Sequence, residues 1–398
     1  MVASSDSVPG PRLPAYGRGT LAEVLPSALA LVDPHDSTAD PLALRESLGT
    51  CERVCVLLAD GLGSDVVEHH RDVAPTLAAM RAETGSRQID TCCPSTTATS
   101  ITSFGTGTAP GRHGVVGYTA WMREVGAVVN LIRFNRYGES KSNTLVRRLV
   151  PEQLQANRTV FERAVAAGVA TTTVSDRRFS DSGLTRAALR GGNYAGWDSP
   201  DEIPELVAAA LGEGDRALVY AYDPRFDHAA HGSGIDGEDA VTALAAVDAV
   251  AARLRDELPA GSVLLVTGDH GMVDVAEGRI DVDDDAALAG GVRALGGEPR
   301  FRHVYARDGA AGDVLDAWSE RLGEVAWVLR GADAIAAGWF GPHAGPEARN
   351  RIGDVVAAYH GEGGVFCRRV DPRQAELIGH HGSLTAAEAV VPLLAART

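Results

Sequence analysis

Residues 53–61 read RVCVLLADG, an apolar run that ends in an aspartate and a glycine. A short, continuous apolar run of this kind is typical of a strand that is buried on both faces of a sheet. The aspartate and glycine favour a loop directly after the strand. We therefore interpret this stretch as a central strand that delivers Asp60 to the edge of a sheet.

The same pattern recurs along the chain, with apolar runs separated by segments of helical periodicity. Strands that alternate with helices of this length predict an α/β fold, with a mainly parallel central sheet and helices on both faces. In such sheets, ligands bind at the carboxyl ends of the strands. We expect strands at 170–174, 217–222 and 262–267, and helices at 64–83, 160–167, 203–211 and 240–258.

Two stretches fit this alternation poorly and are interpreted as insertions. The first, at about 118–155, is expected to form a cap over the site, and the second, at about 273–371, a smaller α+β unit. Within the second, the pattern predicts strands at 302–306 and 325–329 around a helix at 312–322. Residues 51–398 then form one main domain, and we expect residues 1–50 to be an N-terminal segment that packs on its core.

Composition excludes several classes of protein. The chain has 398 residues, of which 45% are hydrophobic and 23% charged, and this balance is typical of globular proteins. Its formal net charge of -16 argues against nucleic acid or an anionic membrane as a stable partner.

The sequence contains neither a recognisable targeting signal nor a cysteine pattern typical of disulfides. The first 25 residues hold no basic stretch followed by an apolar run, and no segment reaches the roughly 20 apolar residues of a membrane span, so a cytoplasmic location is expected. The five cysteines are odd in number and lack zinc-ribbon spacing, which favours free thiols over a disulfide framework.

Acidic residues and histidines cluster where the predicted strands end. Asp269 and His270 follow the strand at 262–267, Asp60 follows the first strand, and either Asp223 or Asp227 follows the strand at 217–222. Carboxylate and imidazole together suit zinc, with manganese or iron as alternatives. Taken alone, Asp269 and His270 are equally compatible with a turn aspartate beside an exposed histidine.

Further histidines extend this group. Asp227 and His231 are four residues apart and share one face if the segment is helical, while His380 and His381 precede a glycine near the C-terminus. Each pair alone is compatible with ordinary loop polarity. Their joint occurrence with Asp60 and with the Asp269–His270 pair indicates a metal site. The acidic run at 281–285 falls instead in a polar loop.

The hydroxyl-rich segment TCCPSTTATSITSFGTGTAPGRHGVVGY, residues 91–118, offers candidate nucleophiles. A threonine in the first turn of a helix from about 97 to 104 would face an anion together with backbone N–H groups. Coordination to a divalent metal would lower the pKa of its hydroxyl and activate it. The alternative from the segment alone is a Ser/Thr-rich helix cap.

Five short motifs in a fixed order point to a known family. From Asp60 to about Leu394 the chain resembles the alkaline phosphatase superfamily, and within it the nucleotide pyrophosphatase/phosphodiesterase-like branch. The resemblance implies a two-metal hydrolase of phosphate esters, with zinc as the expected metal and manganese as an alternative. The motifs are ADGLG (59–63), PSTTATSITSFGTG (94–107) followed by PGRHGVVG (110–117), DPRFDHAAHG (223–232), TGDHGM (267–272) and GHHG (379–382).

Residue by residue, the family pattern implies two ligand sets and a nucleophile. Thr97 is favoured over Thr96 and Thr99 because it stands ten residues before Gly107, as the family nucleophile does before its glycine. It would bridge toward the second metal and attack phosphorus, whereas His113 would have a structural role. The implied ligands are Asp227, His231 and His381 for one metal, and Asp60, Asp269 and His270 for the other.

One position departs from the family pattern as interpreted here. Ser100 stands where that pattern places an asparagine, three residues after the nucleophile, to hold a phosphoryl oxygen. A serine can still donate one hydrogen bond, but it reaches less far, which leaves the substrate class open. Cap residues that could contact a leaving group are Trp121, Arg133, Asn135 and Arg136.

These patterns lead to one main hypothesis and several alternatives. The main hypothesis is cleavage of phosphodiester or nucleotide pyrophosphate bonds in a small anionic phosphate ester, through a phospho-threonine. A phosphomonoesterase or a phosphonate hydrolase would use the same site. A sulfatase is disfavoured because no cysteine or serine lies in a CxPxR-type context. An inactive metal-binding domain is disfavoured because all six ligand positions and Thr97 are retained.

Overall fold

The structure, a computed structural model, describes residues 10–33 and 40–398. Parts of the predicted N-terminal segment 1–50 therefore lie outside the described residues. The strands of the described part are, in chain order, β1 (Arg53–Ala59), β2 (Arg87–Asp90), β3 (Thr119–Met122), β4 (Ala127–Asn130), β5 (Asn135–Arg136), β6 (Ala170–Asp176), β7 (Asn193–Trp197), β8 (Ala217–Asp223), β9 (Val263–Thr267), β10 (Val273–Asp274), β11 (Arg279–Asp281), β12 (Val292–Glu298), β13 (Phe301–Ala306), β14 (Ala326–Arg330), β15 (Val355–Tyr359), β16 (Gly364–Phe366), β17 (Gly379–His380) and β18 (Val390–Arg397).

The helices are mostly short, apart from one of twenty residues beside the central sheet. In chain order the α-helices of the described residues are α1 (Val24–Val32), α2 (Leu44–Leu48), α3 (Ser64–His69), α4 (Pro75–Met80), α5 (Thr97–Thr106), α6 (Pro110–His113), α7 (Pro151–Leu154), α8 (Val160–Ala166), α9 (Gly183–Ala188), α10 (Ile203–Leu211), α11 (Arg225–Ser233), α12 (Glu238–Glu257), α13 (Ala286–Ala289), α14 (Ala311–Leu322), α15 (Gly331–Ala336), α16 (Pro346–Arg351) and α17 (Ala386–Ala389). Single 3-10 turns occur at Leu21–Glu23, Arg177–Phe179, Pro200–Glu202 and Arg373–Ala375.

The central sheet has seven strands in the order β2-β18-β9-β1-β8-β6-β7. Its middle is parallel, because β1 pairs in parallel with both β8 and β9, and β6 pairs in parallel with β7 and β8. Only β18 runs antiparallel, against β9 and β2. The predicted α/β fold with a mainly parallel sheet is confirmed.

Strand β1 shows why the sheet is apolar on both faces. Val54, Val56 and Leu58 point into a core that also holds residues of α1, α5 and α8. The alternate side chains, Cys55 and Leu57 among them, point into a second core with residues of α10 and α12. Successive side chains of a strand face opposite sides of the sheet. A strand whose two faces are both covered by helices therefore requires an unbroken apolar run.

One predicted helix is wrong in its extent. The segment 64–83 does not form a single helix but splits into α3 and α4. The chain leaves helical geometry at His70, and Pro75 then starts α4 because it lacks the N–H needed to continue a helix yet is suited to a first turn. Val66 and Leu77 pack on the same core, so the apolar periodicity does not reveal the break.

Strand β18 was not predicted, and its sequence VVPLLAAR explains why. A proline inside an apolar run normally argues against a central strand, since it has no N–H to donate. Here Pro392 pairs with Gln88 of β2, and pairing with β9 starts only at Leu393. The proline thus occupies a position where the strand is paired on one side only.

The two stretches predicted to be insertions form small sheets of their own and contact each other. The first contains the antiparallel strands β3, β4 and β5, and the second the antiparallel sheet β12-β13-β15-β14 with α14 packed on it. Thr119 of β3 donates a hydrogen bond to Gly297 O at 2.8 Å, and Tyr305 of β13 accepts one from Trp121 N at 2.9 Å. The helix expected at 312–322 corresponds to α14.

The described part of the N-terminal segment lies against the main domain. Leu25 and Leu29 of α1 are buried in the same core as β1. Arg12 forms an ion pair with Asp90 at 2.6 Å, and Asp33 pairs with Arg216 at 2.8 Å.

Across 10–33 and 40–398, none of the helices combines the length and apolar character that a membrane crossing needs. All five cysteines are free, as expected. Burial raises the pKa of the Cys92 thiol to about 12, which makes it unreactive near neutral pH.

A buried ion pair ties the second insertion to the C-terminal part of the main domain. Arg300, in the turn between β12 and β13, donates to both carboxylate oxygens of Glu388 in α17, at 3.1 and 2.8 Å. Their side chains are 2% and 0% exposed. Glu388 also accepts hydrogen bonds from Ser383 N and from the Thr385 hydroxyl, so it organises the chain just after His381.

We predict that Arg300→Met lowers the free energy of unfolding by about 3–5 kcal/mol, because it leaves the Glu388 carboxylate buried without its partner. Urea unfolding measures this change. Arg177→Met is the matched control, since Arg177 makes the same two-pronged contact with Asp198 at the surface, and its loss is expected to cost below about 1 kcal/mol. Equal effects of the two substitutions would contradict the prediction.

Candidate functional site

The site lies where the carboxyl ends of β1, β8 and β9 meet. Asp60 directly follows β1, Asp269 follows β9 after one glycine, and Asp227 lies in the first turn of α11, which begins soon after β8. The loops are fixed to one another, because Asp60 N donates to Asp223 O at 2.9 Å and Gly61 N donates to Asp269 Oδ1 at 3.1 Å. The parallel sheet thus brings residues that are distant in sequence to one edge.

Asp60, Asp269 and His270 form the first cluster, and all three are buried. His270 Nε2 lies 3.3 Å from Asp60 Oδ1 and 3.5 Å from Asp269 Oδ2. The structure therefore brings together the three residues of the second predicted ligand set.

Asp227, His231 and His381 form the second cluster. Asp227 Oδ1 lies 3.4 Å from His231 Nε2, one helical turn away on α11, and 3.9 Å from His381 Nε2. The two clusters adjoin, since the rings of His270 and His381 stack with centroids 3.6 Å apart. All six predicted ligands are therefore neighbours in space.

The hydrogen bonds of the three histidines determine where their protons are. In each ring Nδ1 lies within hydrogen-bonding distance of a backbone carbonyl oxygen, which can only accept, so Nδ1 carries the hydrogen. In the neutral ring, Nε2 then presents a lone pair, as in histidines that bind metals. The three contacts are His231 to Gly379 O at 2.7 Å, His270 to Gly271 O at 3.1 Å and His381 to Ser95 O at 2.8 Å.

The donor set fits divalent cations. Asp60 Oδ1, Asp227 Oδ1 and Asp269 Oδ2 are buried and have no hydrogen-bond partner among the described residues. Each of these oxygens faces the lone pair of an imidazole Nε2, and two acceptors repel unless a cation lies between them. Buried charges in proteins are paired or bind metals, and mixed carboxylate and imidazole ligands suit zinc.

The pKa values of the ligands show the same electrostatic conflict. Burial, together with Asp269 and Asp227, raises the pKa of Asp60 well above its usual value, and burial also raises the pKa of Asp269. Burial and the neighbouring histidines hold the pKa of His381 well below 6.5, so this ring is neutral at physiological pH. A divalent cation reverses the carboxylate shifts and favours a neutral imidazole ligand.

Thr97 is the first residue of α5, and its hydroxyl adjoins the first cluster. Thr97 Oγ1 lies 3.2 Å from His270 Nε2 and, because that nitrogen carries no hydrogen, the hydroxyl is the donor. Thr96 and Thr99, the competing candidates, are buried, and their hydroxyls have no hydrogen-bond partner among the described residues.

Two alternatives left open by the sequence are resolved by geometry. Asp223 accepts hydrogen bonds from Arg225 at both carboxylate oxygens and stays outside the clusters, so Asp227 is the residue that joins them. His380 Nε2 lies 3.3 Å from Leu377 O, whereas His381 points to Asp227.

Ser100 lies apart from the predicted contact with substrate. It is fully buried, and its hydroxyl is 3.0 Å from the hydroxyl of Thr91, which in turn donates to the backbone oxygen of Asp269. In this arrangement Ser100 supports the loop that carries Asp269. Its contact with a phosphoryl oxygen stays a prediction.

The cap residues make contacts within or beside the insertions. Asn135 is buried and donates to Glu139 O and Lys141 O, while Arg133 donates to Ser140 O at 3.3 Å. Trp121 lies under the guanidinium of Arg293 at 4.6 Å, and Arg136 is exposed. These contacts stabilise the cap, and contact with a leaving group stays a prediction for all four residues.

His113 is held inside the protein, consistent with the structural role expected for it. Its Nδ1 accepts from Val115 N at 3.1 Å, so Nε2 carries the hydrogen and donates to the Ser103 hydroxyl at 2.8 Å. Burial lowers the pKa of His113 to about 3. The ring is neutral and joins α6 to α5.

Two further residues adjoin the ligands and were not found from the sequence. Tyr222 at the end of β8 donates its hydroxyl hydrogen to Asp60 Oδ2, which leaves Oδ1 for a cation. Glu298 of β12 places Oε2 3.9 Å from His381 Nδ1. The sequence indicated Tyr222 only by its position, since it is an aromatic residue with a hydroxyl group near the end of a predicted strand. Glu298 lies in the second predicted insertion, and the sequence did not show where that insertion packs.

Comparison with known proteins agrees with this geometry. The family model described as type I phosphodiesterase / nucleotide pyrophosphatase matches residues 54–384. No curated protein sequence matches the chain.

Several solved structures share the fold. Murine ectonucleotide pyrophosphatase / phosphodiesterase 5 is similar with a TM-score of 0.66 and 17% identity, over 87% of this chain and 88% of that chain. Phosphonoacetate hydrolase from Sinorhizobium meliloti 1021, in complex with phosphonoformate, is similar with a TM-score of 0.65 and 18% identity, over 87% and 90%. The human ectonucleotide pyrophosphatase / phosphodiesterase 5 has a TM-score of 0.63 and 16% identity, over 86% and 87%.

We predict that Tyr222→Phe weakens metal binding by about 10–100-fold, because loss of an outer hydrogen bond to a metal ligand typically has an effect of this size. Equilibrium dialysis against zinc measures the change. Tyr220→Phe is the matched control: Tyr220 lies on the same face of β8, and its hydroxyl has no hydrogen-bond partner among the described residues. The assignment fails if both variants bind zinc alike.

The pH dependence of stability provides a test for Glu298. Burial raises the pKa of Glu298 from 4.5 to about 8, so between these values the folded chain keeps a proton that the unfolded chain has lost. Stability then decreases as the pH rises through this window, by up to about 1.4 kcal/mol per pH unit. We predict that Glu298→Gln, which cannot ionise, becomes increasingly stable relative to the native chain from pH 5 to pH 8.

Thermal unfolding of both proteins in the presence of a chelator measures this difference. The ionisation of Asp60 and Asp269 is common to both proteins and cancels in the comparison. A stability difference that stays constant with pH would show that Glu298 is ionised in the folded chain.

Proposed function

The chain belongs to the type I phosphodiesterase / nucleotide pyrophosphatase family, and from this premise we propose that it hydrolyses phosphate esters at a two-cation site with Thr97 as the nucleophile. One observation carries the proposal: the six predicted ligands form two adjoining clusters, and the Thr97 hydroxyl lies 3.2 Å from His270 in one of them. Side chains from Asp60 to His381 meet there, which is difficult to explain by structural roles alone.

We assign one cation to Asp227, His231 and His381 and the other to Asp60, Asp269 and His270, with Thr97 beside the second. Zinc is the expected ion and manganese the alternative, because the ligands are carboxylates and imidazoles. When bound, the cations supply Lewis acidity and lower the pKa of a coordinated hydroxyl. Since the three imidazoles are held with Nδ1 protonated, each offers Nε2 without a change of tautomer.

The residues of the chain then act in a defined order. Thr97 Oγ1 forms a bond to phosphorus while the bond from phosphorus to the leaving oxygen breaks, and the leaving alcohol takes up the proton that Thr97 loses, which gives a phospho-threonine. Water then attacks phosphorus, the bond to Thr97 breaks and the hydroxyl is restored.

The start of α5 suits a phosphoryl group. Thr96 at the N-cap makes no side-chain hydrogen bond to the first turn, so the N–H groups there remain to bind an anion. The N-terminal end of a helix carries a partial positive charge, which favours phosphoryl oxygens at this position. Thr97 as first residue is therefore both the attacking group and part of the anion site.

A neighbouring cavity supports a leaving group of nucleotide size. The cavity has a volume of about 540 Å³ and lies at the carboxyl ends of β6, β7 and β8, lined by Arg177, Phe179, Trp197 and His228 among others. Trp197 is buried, and its Nε1 has no hydrogen-bond partner among the described residues. His228 of the lining directly follows the proposed ligand Asp227 in α11, although none of the six ligands itself lines the cavity.

Phosphodiester or nucleotide pyrophosphate bonds are the proposed substrates. This choice rests on the family description and on the aromatic cavity. A variant of murine ectonucleotide pyrophosphatase / phosphodiesterase 5 described as inactive was solved in complex with AMP. The second candidate is hydrolysis of a phosphonate, which the similarity to phosphonoacetate hydrolase favours. Rates on an aryl phosphodiester, the matching monoester and phosphonoacetate distinguish these classes.

We predict that Thr97→Ala lowers turnover of an aryl phosphodiester by at least about 10³-fold, since loss of a covalent nucleophile in other enzymes has an even larger effect. Zinc content should stay unchanged, because the six ligands remain. Thr99→Ala is the matched control in the same helix and should retain turnover within a few-fold.

Acid quenching of the native chain during turnover, followed by mass spectrometry, should detect a phosphate on Thr97. Retained turnover in Thr97→Ala would remove this residue as the nucleophile. Absence of hydrolysis in the native, zinc-loaded chain for every substrate class would instead favour an inactive metal-binding domain.

A further inference from the structure

A third group of metal-ligating side chains lies outside the active site. His69 and His70 stand at the end of α3, and Asp236 lies in the loop between α11 and α12. Their donor atoms lie within 4.8 Å of one another. Asp236 Oδ1 is 3.0 Å from His70 Nε2 and 3.9 Å from His69 Nε2.

We propose that His69, His70 and Asp236 bind a third divalent transition-metal ion, such as zinc, at the protein surface. Imidazole and carboxylate ligands bind zinc at roughly 2.0–2.2 Å, so two donors of one ion are separated by at most about 4.4 Å. Both measured distances to Asp236 Oδ1 fall below this limit. With three protein ligands, one or more positions remain for water or another ligand.

The environment of His70 favours a cation over a simple hydrogen bond. Its side chain is only 12% exposed, and its Nε2 is buried without a hydrogen-bond partner, although Asp236 Oδ1 is 3.0 Å away. The oxygen therefore approaches too far from the direction of a ring N–H to accept from it. An ion bound by both atoms would satisfy the nitrogen and the carboxylate together.

Neighbouring groups position the loop and add negative charge. Asp274 of β10 accepts a hydrogen bond from Ile235 N at 3.0 Å, which fixes the residue before Asp236. Burial raises the pKa of the Asp274 carboxyl group, and repulsion from the nearby Asp236 raises it further. His69 is 72% exposed, so its ring has room to turn toward the ion.

The position of this cluster connects it to the active site through the backbone. Helix α3 begins four residues after Asp60, and the loop of Asp236 begins three residues after His231. Asp274 belongs to β10, which pairs with His380, the residue before His381. A bound ion would hold α3 to the end of α11 and so restrict movement of segments that carry ligands of both catalytic cations.

The test compares the native chain with His69→Ala in equilibrium dialysis against zinc, with metal counted by mass spectrometry. His69 is mostly exposed, so its removal should not disturb folding. We expect the native chain to bind one zinc ion more per chain than His69→Ala, or to bind the additional ion at least about tenfold more tightly. Loss of a residue that only hydrogen-bonds to a metal ligand already weakens metal binding about tenfold, so loss of a ligand should have at least this effect.

His343→Ala is the matched control, because His343 is also an exposed histidine but belongs to none of the clusters. It should bind as much zinc as the native chain. Asp236→Asn provides a second variant, and it should lose the same ion and the same zinc-dependent gain in melting temperature.

Equal zinc content in the native chain, His69→Ala and Asp236→Asn would overturn the proposal. The proposal would also be overturned if Asp236→Asn lost as much stability without zinc as with zinc. That result would indicate that Asp236 only forms an ion pair with His70. The inference does not rest on the proposed function. The native chain and His69→Ala have the same two clusters at the proposed active site, so a difference of one bound ion between them is expected whether or not the protein hydrolyses an ester.

Discussion

The repulsion among three neighbouring carboxylates, two of them fully buried, is the constraint on which the rest of the site depends. Asp60, Asp227 and Asp269 meet at the carboxyl ends of parallel strands, and each has an oxygen without a hydrogen-bond partner. Two unit charges about 4 Å apart near a protein surface interact by roughly 4 kcal/mol, a large part of a typical net stability of about 5–15 kcal/mol. Divalent cations bound at the proposed site would turn this cost into binding energy and would link metal binding to folding.

The surrounding structure holds the ligands in the form that cations need. Carbonyl oxygens fix the three imidazoles with Nε2 unprotonated, and Tyr222 occupies the second oxygen of Asp60. None of these partners is close to its ligand in sequence except Gly271 beside His270. Such outer contacts depend on the tertiary fold, because parallel strands place their loops together regardless of their distance along the chain.

The sequence predicted what depends on strand order and missed what depends on packing. Asp60, Asp269 and His270 follow apolar runs, so their convergence could be expected from the rule for parallel sheets. Asp223 and Asp227 could not be separated, since the pairing of Asp223 with Arg225 appears only in three dimensions. The break after α3 was missed because α3 and α4 pack on the same core and therefore continue one apolar pattern. Strand β18 was missed because a proline inside an apolar run normally indicates an edge strand, and Pro392 is paired only with β2.

Hydrogen bonds and a buried ion pair link the two predicted insertions to the segment that carries His381, a residue of the proposed metal site. Thr119 and Trp121 join the first insertion to the second, and Arg300 joins the second to Glu388, seven residues after His381. A side chain change in either insertion can therefore alter the position of a ligand without touching it. If cations bind at the proposed site, the positions of their ligands and any selectivity of the first insertion for a leaving group depend on one set of buried contacts, because close-packed interiors transmit a local shift.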